Sequence, residues 1–361
     1  VDRARSELVV LNSNRMTIID RIAVPDPTAL AMSPNLDTIA ITSQTTGIVS
    51  FVDIDPDSAT FHQVIQSTVV GSQPRGICWE SGNEDIIVAN EGDNSISILS
   101  AFSLEVRRVI SSNLSEPFEI ATTPRQINWG FFRNVYFGYI ANRNGRVAVF
   151  ESGPNEVNGW GFDDVIGVVT TIFRNPKTIQ PDHVDLRSGF WIAHEGAINL
   201  ETGDAGPAGE PAVTKVNIVS GIQGQLPLNV TSLLIPNFRD LVLEATSSIG
   251  PTNLAGIPVD LAFDNMRNLG GLANLFSVFG AGVPLPLNGK SLVRTFGANP
   301  NNTNEPSFMF VAVPNPVAGI GAVEVIQIDG GFQRVDTNPF QPGDQPIVAP
   351  NVQVLMDYWR Q

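Results

Sequence analysis

A unit recurs along this chain, and its period limits the possible folds more than any other feature. Each copy opens on a proline and a short apolar strand, passes a turn, and continues through a hydrophobic strand ending in a small polar residue. A second alternating strand follows. One copy runs Gln73-Pro74-Arg75-Gly76-Ile77, then Asp85-Ile86-Ile87-Val88-Ala89-Asn90, then Ser95-Ile96-Ser97-Ile98-Leu99. The copy before it holds Asp26-Pro27, Thr38-Ile39-Ala40-Ile41-Thr42-Ser43 and Ile48-Val49-Ser50-Phe51-Val52-Asp53. The copy after it holds Glu116-Pro117-Phe118-Glu119, Phe137-Gly138-Tyr139-Ile140-Ala141-Asn142 and Arg146-Val147-Ala148-Val149-Phe150. A fourth copy reads Gln180-Pro181-Asp182-His183-Val184, Phe190-Trp191-Ile192-Ala193-His194 and Val213-Thr214-Lys215-Val216-Asn217. The fifth opens at Ile257-Pro258-Val259-Asp260-Leu261 and resumes at 308–313 and 322–327. The sixth is divided between the termini: Gln345-Pro346-Ile347-Val348 opens it, and the runs Glu7 to Asn12 and Arg15 to Asp20 continue it.

The opening prolines lie 47, 43, 64, 77 and 88 residues apart, and 42 across the termini. A period of roughly 40–50 residues with several short strands per unit is that of propeller blades. A unit shared between the two chain ends closes a ring and leaves no terminal sheet exposed. The expectation is an all-β chain forming a single β-propeller over 1–361, with six to seven four-stranded blades, the last closed by N- and C-terminal strands. The seventh would lie within the 88-residue unit, which is about twice the period. The units fall near 26–70, 73–114, 116–176, 180–236, 257–335, and 345–361 plus 7–24. The stretches 199–211, 237–256 and 265–305 read as inserts on the blade faces, where added length leaves the packing between blades intact.

Composition narrows the function classes. The chain has 36 acidic against 21 basic residues, a net charge of −15, with 18 arginines and only 3 lysines. Phosphate backbones need a concentrated basic surface, so nucleic acid is excluded as a partner. The charge-free stretch between Arg267 and Lys290 is broken by prolines and glycines and does not make a membrane span. The single cysteine, Cys78, permits neither an internal disulfide nor a Cys-based zinc site and reads as a buried thiol. The first residues, Val1-Asp2-Arg3-Ala4-Arg5, hold no apolar signal region, as in a processed N-terminus or a piece of something larger. An acidic, Lys-poor, Asn- and Gly-rich sequence fits an exported prokaryotic protein that is extracellular, at the cell surface or periplasmic.

The pieces Ile87-Val88-Ala89-Asn90…Asn94-Ser95-Ile96-Ser97-Ile98 and Tyr139-Ile140-Ala141-Asn142…Gly145-Arg146-Val147-Ala148-Val149 resemble the YVTN-type repeat of surface-layer-like, secreted prokaryotic β-propellers. The resemblance is good over about residues 7–150, fair to about 218, and thin beyond except at 308–329 and the closing strand. It implies architecture and leaves activity open, because such propellers include cell-surface proteins, domains of redox enzymes, and lactonase- or lyase-like enzymes.

Two repeat positions face a propeller's central channel or its rim. Two residues after the opening proline stand Ala29, Gly76, Glu119, His183, Asp260 and Val348. Of these, Glu119, His183 and Asp260 are the candidate metal ligands. Some lactonase-like propellers place an axial calcium among such side chains, which makes calcium or another divalent ion the implied cofactor, with His183 favouring a transition metal. At the end of the second strand stand Asn12, Ser43, Asn90, Asn142 and His194. With Arg75, the residues Asn90, Asn142 and His194 form the candidate ligand-binding set. Each has a plain structural reading beside the functional one: strand-end asparagines suit turns, and polar channel residues are commonly hydrated. Asp53-Ile54-Asp55-Pro56-Asp57 lacks the glycine and distal glutamate of an EF-hand and reads as a solvated turn. Arg107, Arg108 and Trp191 read as blade anchors.

Two functions remain open. The leading one is a non-catalytic exported binding or scaffold module, meeting a protein or surface polymer through face loops. The alternative is a metal-dependent lactonase, hydrolase or lyase with an ion at the axis. A domain of a larger redox or surface assembly is the third reading.

Overall fold

The computed structural model describes residues 1–12, 15, 17–80, 82–122, 136–152, 163–169, 171–181, 189–195, 197–199, 212–218, 243–249, 257–263, 308–315, 320–327, 333–334 and 347–348. It is built of antiparallel sheets. The hairpin β1 (Glu7–Asn12) and β2 (Thr17–Ala23) is followed by three meanders of four strands each. They are β3 (Pro27–Met32), β4 (Thr38–Ser43), β5 (Ile48–Asp53) and β6 (Val64–Val69); β7 (Pro74–Trp79), β8 (Asp85–Asn90), β9 (Ser95–Ser100) and β10 (Val106–Ile110); and β11 (Pro117–Thr122), β12 (Phe137–Asn142), β13 (Val147–Glu151) and β14 (Asp164–Val168). These strands, with Val1–Val169, belong to one compact unit.

A second compact unit holds the remaining strands. They are β15 (Thr171–Phe173), β16 (Thr178–Pro181), β17 (Gly189–His194), β18 (Ala197–Asn199), β19 (Ala212–Ile218), β20 (Leu243–Ile249), β21 (Asp260–Phe263), β22 (Phe308–Asn315), β23 (Ile320–Gln327), β24 (Gln333–Arg334) and β25 (Ile347–Val348). One sheet has the order β16-β17-β19-β20, a second joins β15 to β18, and the third runs β21-β22-β23-β24 with β25 also on β23. Among the described residues the helical content is two three-residue 3-10 turns, and no helix is long and apolar enough to cross a membrane.

The middle strands read as continuous apolar runs because sheets stack face to face, so both faces of a strand are buried. In β8 all six residues are buried. Ile86 and Val88 pack with Phe51, Val49 and Trp79 towards the preceding sheet, while Ile87 packs with Ile120, Ile140 and Phe150 of the next. Phe51 and Trp79 meet edge to face at 6.4 Å, a favoured aromatic geometry. In the second unit, Trp191, Ala193 and Val213 form the same kind of core with Leu261, Met309, Val311 and Ile326. The expected anchor role of Arg107 is realised. Its guanidinium holds Asp85 at 2.8 Å and Asp163 at 3.0 Å, Arg108 also holds Asp163, and the Tyr136 hydroxyl donates to Asp85, tying two sheets together.

The links into β3, β7 and β11 share one backbone device. Asp26, Gln73 and Glu116, each directly before its proline, have positive φ (36°, 52° and 48°), uncommon for non-glycine residues. The fourth such residue is Asn175 (φ 45°), before Pro176. The opening proline of the fourth unit is therefore Pro176, not Pro181. The register agrees: Pro74 pairs with Asn90 and Pro117 with Asn142 at the far ends of their neighbours, whereas Pro181 pairs with Phe190 near the start of β17.

Two further expectations change. The segment 237–256, expected as an insert, contains β20, the fourth strand of its sheet. Its Thr246-Ser247-Ser248 interrupts the apolar run as Gln66-Ser67-Thr68 does in the outer strand β6, and a fourth strand needs no second apolar face. Ile347 and Val348, expected to open the sheet of β1 and β2, instead pair with Val323 and Ala322 of β23. The short β24 covers only Ile326 and Gln327 of that strand, leaving backbone donors and acceptors that β25 takes. The insert 265–305 lies outside the described residues, as does 199–211 beyond Asn199, which ends β18.

Candidate functional site

The strand-end asparagines are consumed by the fold. Asn90 Oδ1 accepts the Gly71 N–H at 3.2 Å, and Nδ2 donates to the hydroxyls of Ser95 (3.0 Å) and Ser97 (2.9 Å). Asn142 does the same for the next link: Oδ1 accepts the Ser115 N–H at 2.9 Å, and Nδ2 donates to the Ile140 and Arg146 carbonyls. Both side chains are buried and clamp the connection entering their own sheet. His194 is also buried, with Nε2 2.6 Å from Thr214 Oγ1 and its ring tilted against Phe173. All three side chains are thus engaged within the fold, in the structural roles that strand ends offer.

Arg75 is different. It is half-buried on β7, and Nη1 lies 3.4 Å from Glu91 Oε2. The other oxygen of Glu91 accepts from Arg143 Nε at 2.6 Å, and the Arg143 guanidinium lies 4.0 Å from the centroid of the Phe118 ring. One carboxylate thus bridges two guanidinium groups, one of them lying over an aromatic ring. Glu91 and Arg143 each stand one residue beyond a strand-end asparagine, as Gln44 does beyond Ser43 and Glu195 beyond His194. The backbone N–H of all four bonds back to a link carbonyl, of Gln73, Glu116, Asp26 and Arg174 respectively. This rim position repeats in the sequence as a long polar residue, the signal that would have found it.

Beside this cluster lies a cavity of about 630 Å³ lined by Arg3, Gln44, Thr45, Thr46, Gly47, Ser72 and Gln73. The chain around its Gly47 is close-packed. Gly47 has φ +69° and approaches the Gly71 carbonyl, and a methyl at Gly71 would sit 2.5 Å from the Asn90 amide carbon. Arg3 grips Asp26 through Nε and Nη2. That guanidinium, aided by Thr45, holds the Asp26 carboxyl below the usual carboxylate range despite partial burial. The side-chain amides of Gln44 and Gln73 and the Ser72 hydroxyl make no hydrogen bond with the described residues.

The candidate metal ligands do not form a described cluster. Glu119 is half-buried on β11 in the first unit, and Asp260 is exposed on β21 in the second, its carboxylate accepting the Leu261 N–H. His183 lies outside the described residues. With Pro176 opening its unit, the place that His183 was expected to hold falls to Thr178, which is buried. Among the described residues no three His, Cys, Asp or Glu side chains are close enough to hold a metal ion. In the acidic turn after β5, Asp53 accepts from the Ser58 and Thr60 hydroxyls and the Asp55 N–H, which hold its carboxyl below the usual range. It is a self-satisfied turn.

No protein-family model matches the chain, and no curated protein sequence matches it. Solved structures do. Hydrazine synthase of Kuenenia stuttgartiensis matches 91% of this chain and 72% of its own, with TM-score 0.54 and 14% identity. A candidate 6-phosphogluconolactonase of Bacteroides fragilis NCTC 9343 matches 95% of this chain and 80% of its own, with TM-score 0.50 and 12% identity. Both are propeller-type folds, and the likeness is one of fold: the chain is all-β and propeller-like.

Proposed function

We propose that this chain is an exported, non-catalytic propeller module of six to seven blades that binds a partner at the cell surface through the rim of its first unit. The carrying observation is the 630 Å³ cavity, whose Gln44, Gln73 and Ser72 side chains keep their hydrogen-bonding capacity while neighbouring Asn90 and Asn142 spend theirs on the fold. Concave sites with a few convergent polar groups on a rigid scaffold are the usual form of ligand pockets. The YVTN-type spacing of β8–β9 and β12–β13 supports the surface assignment.

An array of polysaccharides and surface glycopeptides tests it. The wild-type protein is expected to retain specific members, and Gln44→Ala with Gln73→Ala to weaken them at least about tenfold, the cost of one or two lost hydrogen bonds to a desolvated ligand. Retention indifferent to both substitutions overturns the assignment of the rim.

A further inference from the structure

Resting on that reading, we propose that the rim takes a polysaccharide bearing anionic substituents, carboxylate or sulfate, with Arg75 and Arg143 receiving the anion and the adjoining cavity receiving sugar hydroxyls. The two guanidinium groups share the single carboxylate of Glu91, so this cluster of three carries a net charge of +1 on a chain whose total is −15. Among the described residues Arg75 uses only Nη1, at the long distance of 3.4 Å, and Arg143 uses only Nε. The terminal Nη1 and Nη2 fork of Arg143 makes no hydrogen bond with the described residues, and its guanidinium carbon lies over the Phe118 ring. A guanidinium is planar, and a fork with no partner among the described residues suits two-point bonding to a carboxylate or sulfate. Of the carboxylates nearby, Asp26 is ion-paired with Arg3 and Asp93 accepts the Ser72 N–H, while Glu116 and Glu119 stand in the chain on either side of Pro117 and Phe118. The cavity adjoins the cluster through Gln73, whose carbonyl accepts the Glu91 N–H.

The lining decides between a glycan and an acidic peptide. It offers amides, hydroxyls and one ion-paired arginine, with no aliphatic or aromatic side chain to seat a peptide's apolar residues. Amides and hydroxyls both donate and accept, which matches a chain of sugar hydroxyls.

Calorimetry with polygalacturonate, dextran sulfate, dextran and poly-glutamate tests the inference on wild type, Arg75→Gln, Arg143→Gln and Gln44→Ala, with thermal melts reporting folding. Polygalacturonate or dextran sulfate should bind wild type at least about tenfold more tightly than dextran, and each arginine substitution should remove most of that margin. The preferred polymer identifies the substituent. Dextran binding as tightly as the anionic polymers overturns the anionic class while leaving the rim reading in place. Poly-glutamate binding in preference to both overturns it in favour of an acidic protein. Failure of both anionic polymers to bind folded wild type also overturns it. Anionic-polymer binding that ignores Gln44→Ala but falls with the arginine substitutions counts against the cavity and for the arginine pair alone.

Discussion

At Asn90 one buried side chain satisfies a link N–H and two serine hydroxyls, and the sequence hides this behind a residue type that also suits open turns. Its counterpart Ser43 is too short to clamp a link and has no need to, because the Val24 N–H there is already taken by the Ser6 carbonyl. The buried Ser43 hydroxyl makes no hydrogen bond with the described residues. Asn90→Ala should cost about 2–3 kcal/mol by stranding buried polar partners, while Ser43→Ala should be close to neutral. Urea unfolding midpoints check both, and equal effects would refute the clamp. The same reasoning applies to the rest of the strand-end set. Residue type and position placed Asn90, Asn142 and His194 correctly at strand ends, but their partners lie at 2–27 residues' remove, several of them on links whose course only the fold defines.

Between elements, the inner strands β7 and β11 lie so close that side-chain size is limited by backbone. A methyl on Gly76 would stand 2.7 Å from Glu119 Cα and 2.8 Å from the Phe118 carbonyl oxygen. Neither atom can swing away as the end of a side chain can. On Gly138 a methyl would meet only side chains, Phe150 at 3.4 Å and Ile120 at 3.7 Å. Gly76→Ala should therefore destabilise by about 1–3 kcal/mol, the range of overpacked cores, and Gly138→Ala by clearly less. Thermal melts of the two single variants compare them directly. Strand existence was largely legible at this scale, because both-face burial writes itself as runs such as Asp85 to Asn90. Outer strands were harder: β20 and β6 carry polar interruptions that imitate loops.

Across the whole molecule, an excess of acidic over basic residues amounting to −15 sets a field that opposes compaction. Raising ionic strength from about 10 to about 150 mM shortens the screening length from roughly 30 to 8 Å and should raise the melting temperature. A fall over that range would mean that ion pairs such as Arg107 with Asp85 outweigh the net repulsion. The amino-acid sequence alone determined the blade-like period, the buried two-faced strands and the acidic, Lys-poor surface, because these follow from local periodicity and composition. Only the tertiary structure decided that Pro176 opens the fourth unit, that β25 joins β23, and that Glu91 bridges Arg75 and Arg143. Those outcomes depend on register and on contacts between residues far apart in the chain, where a shift of a few positions leaves the local pattern unchanged and redirects every side chain.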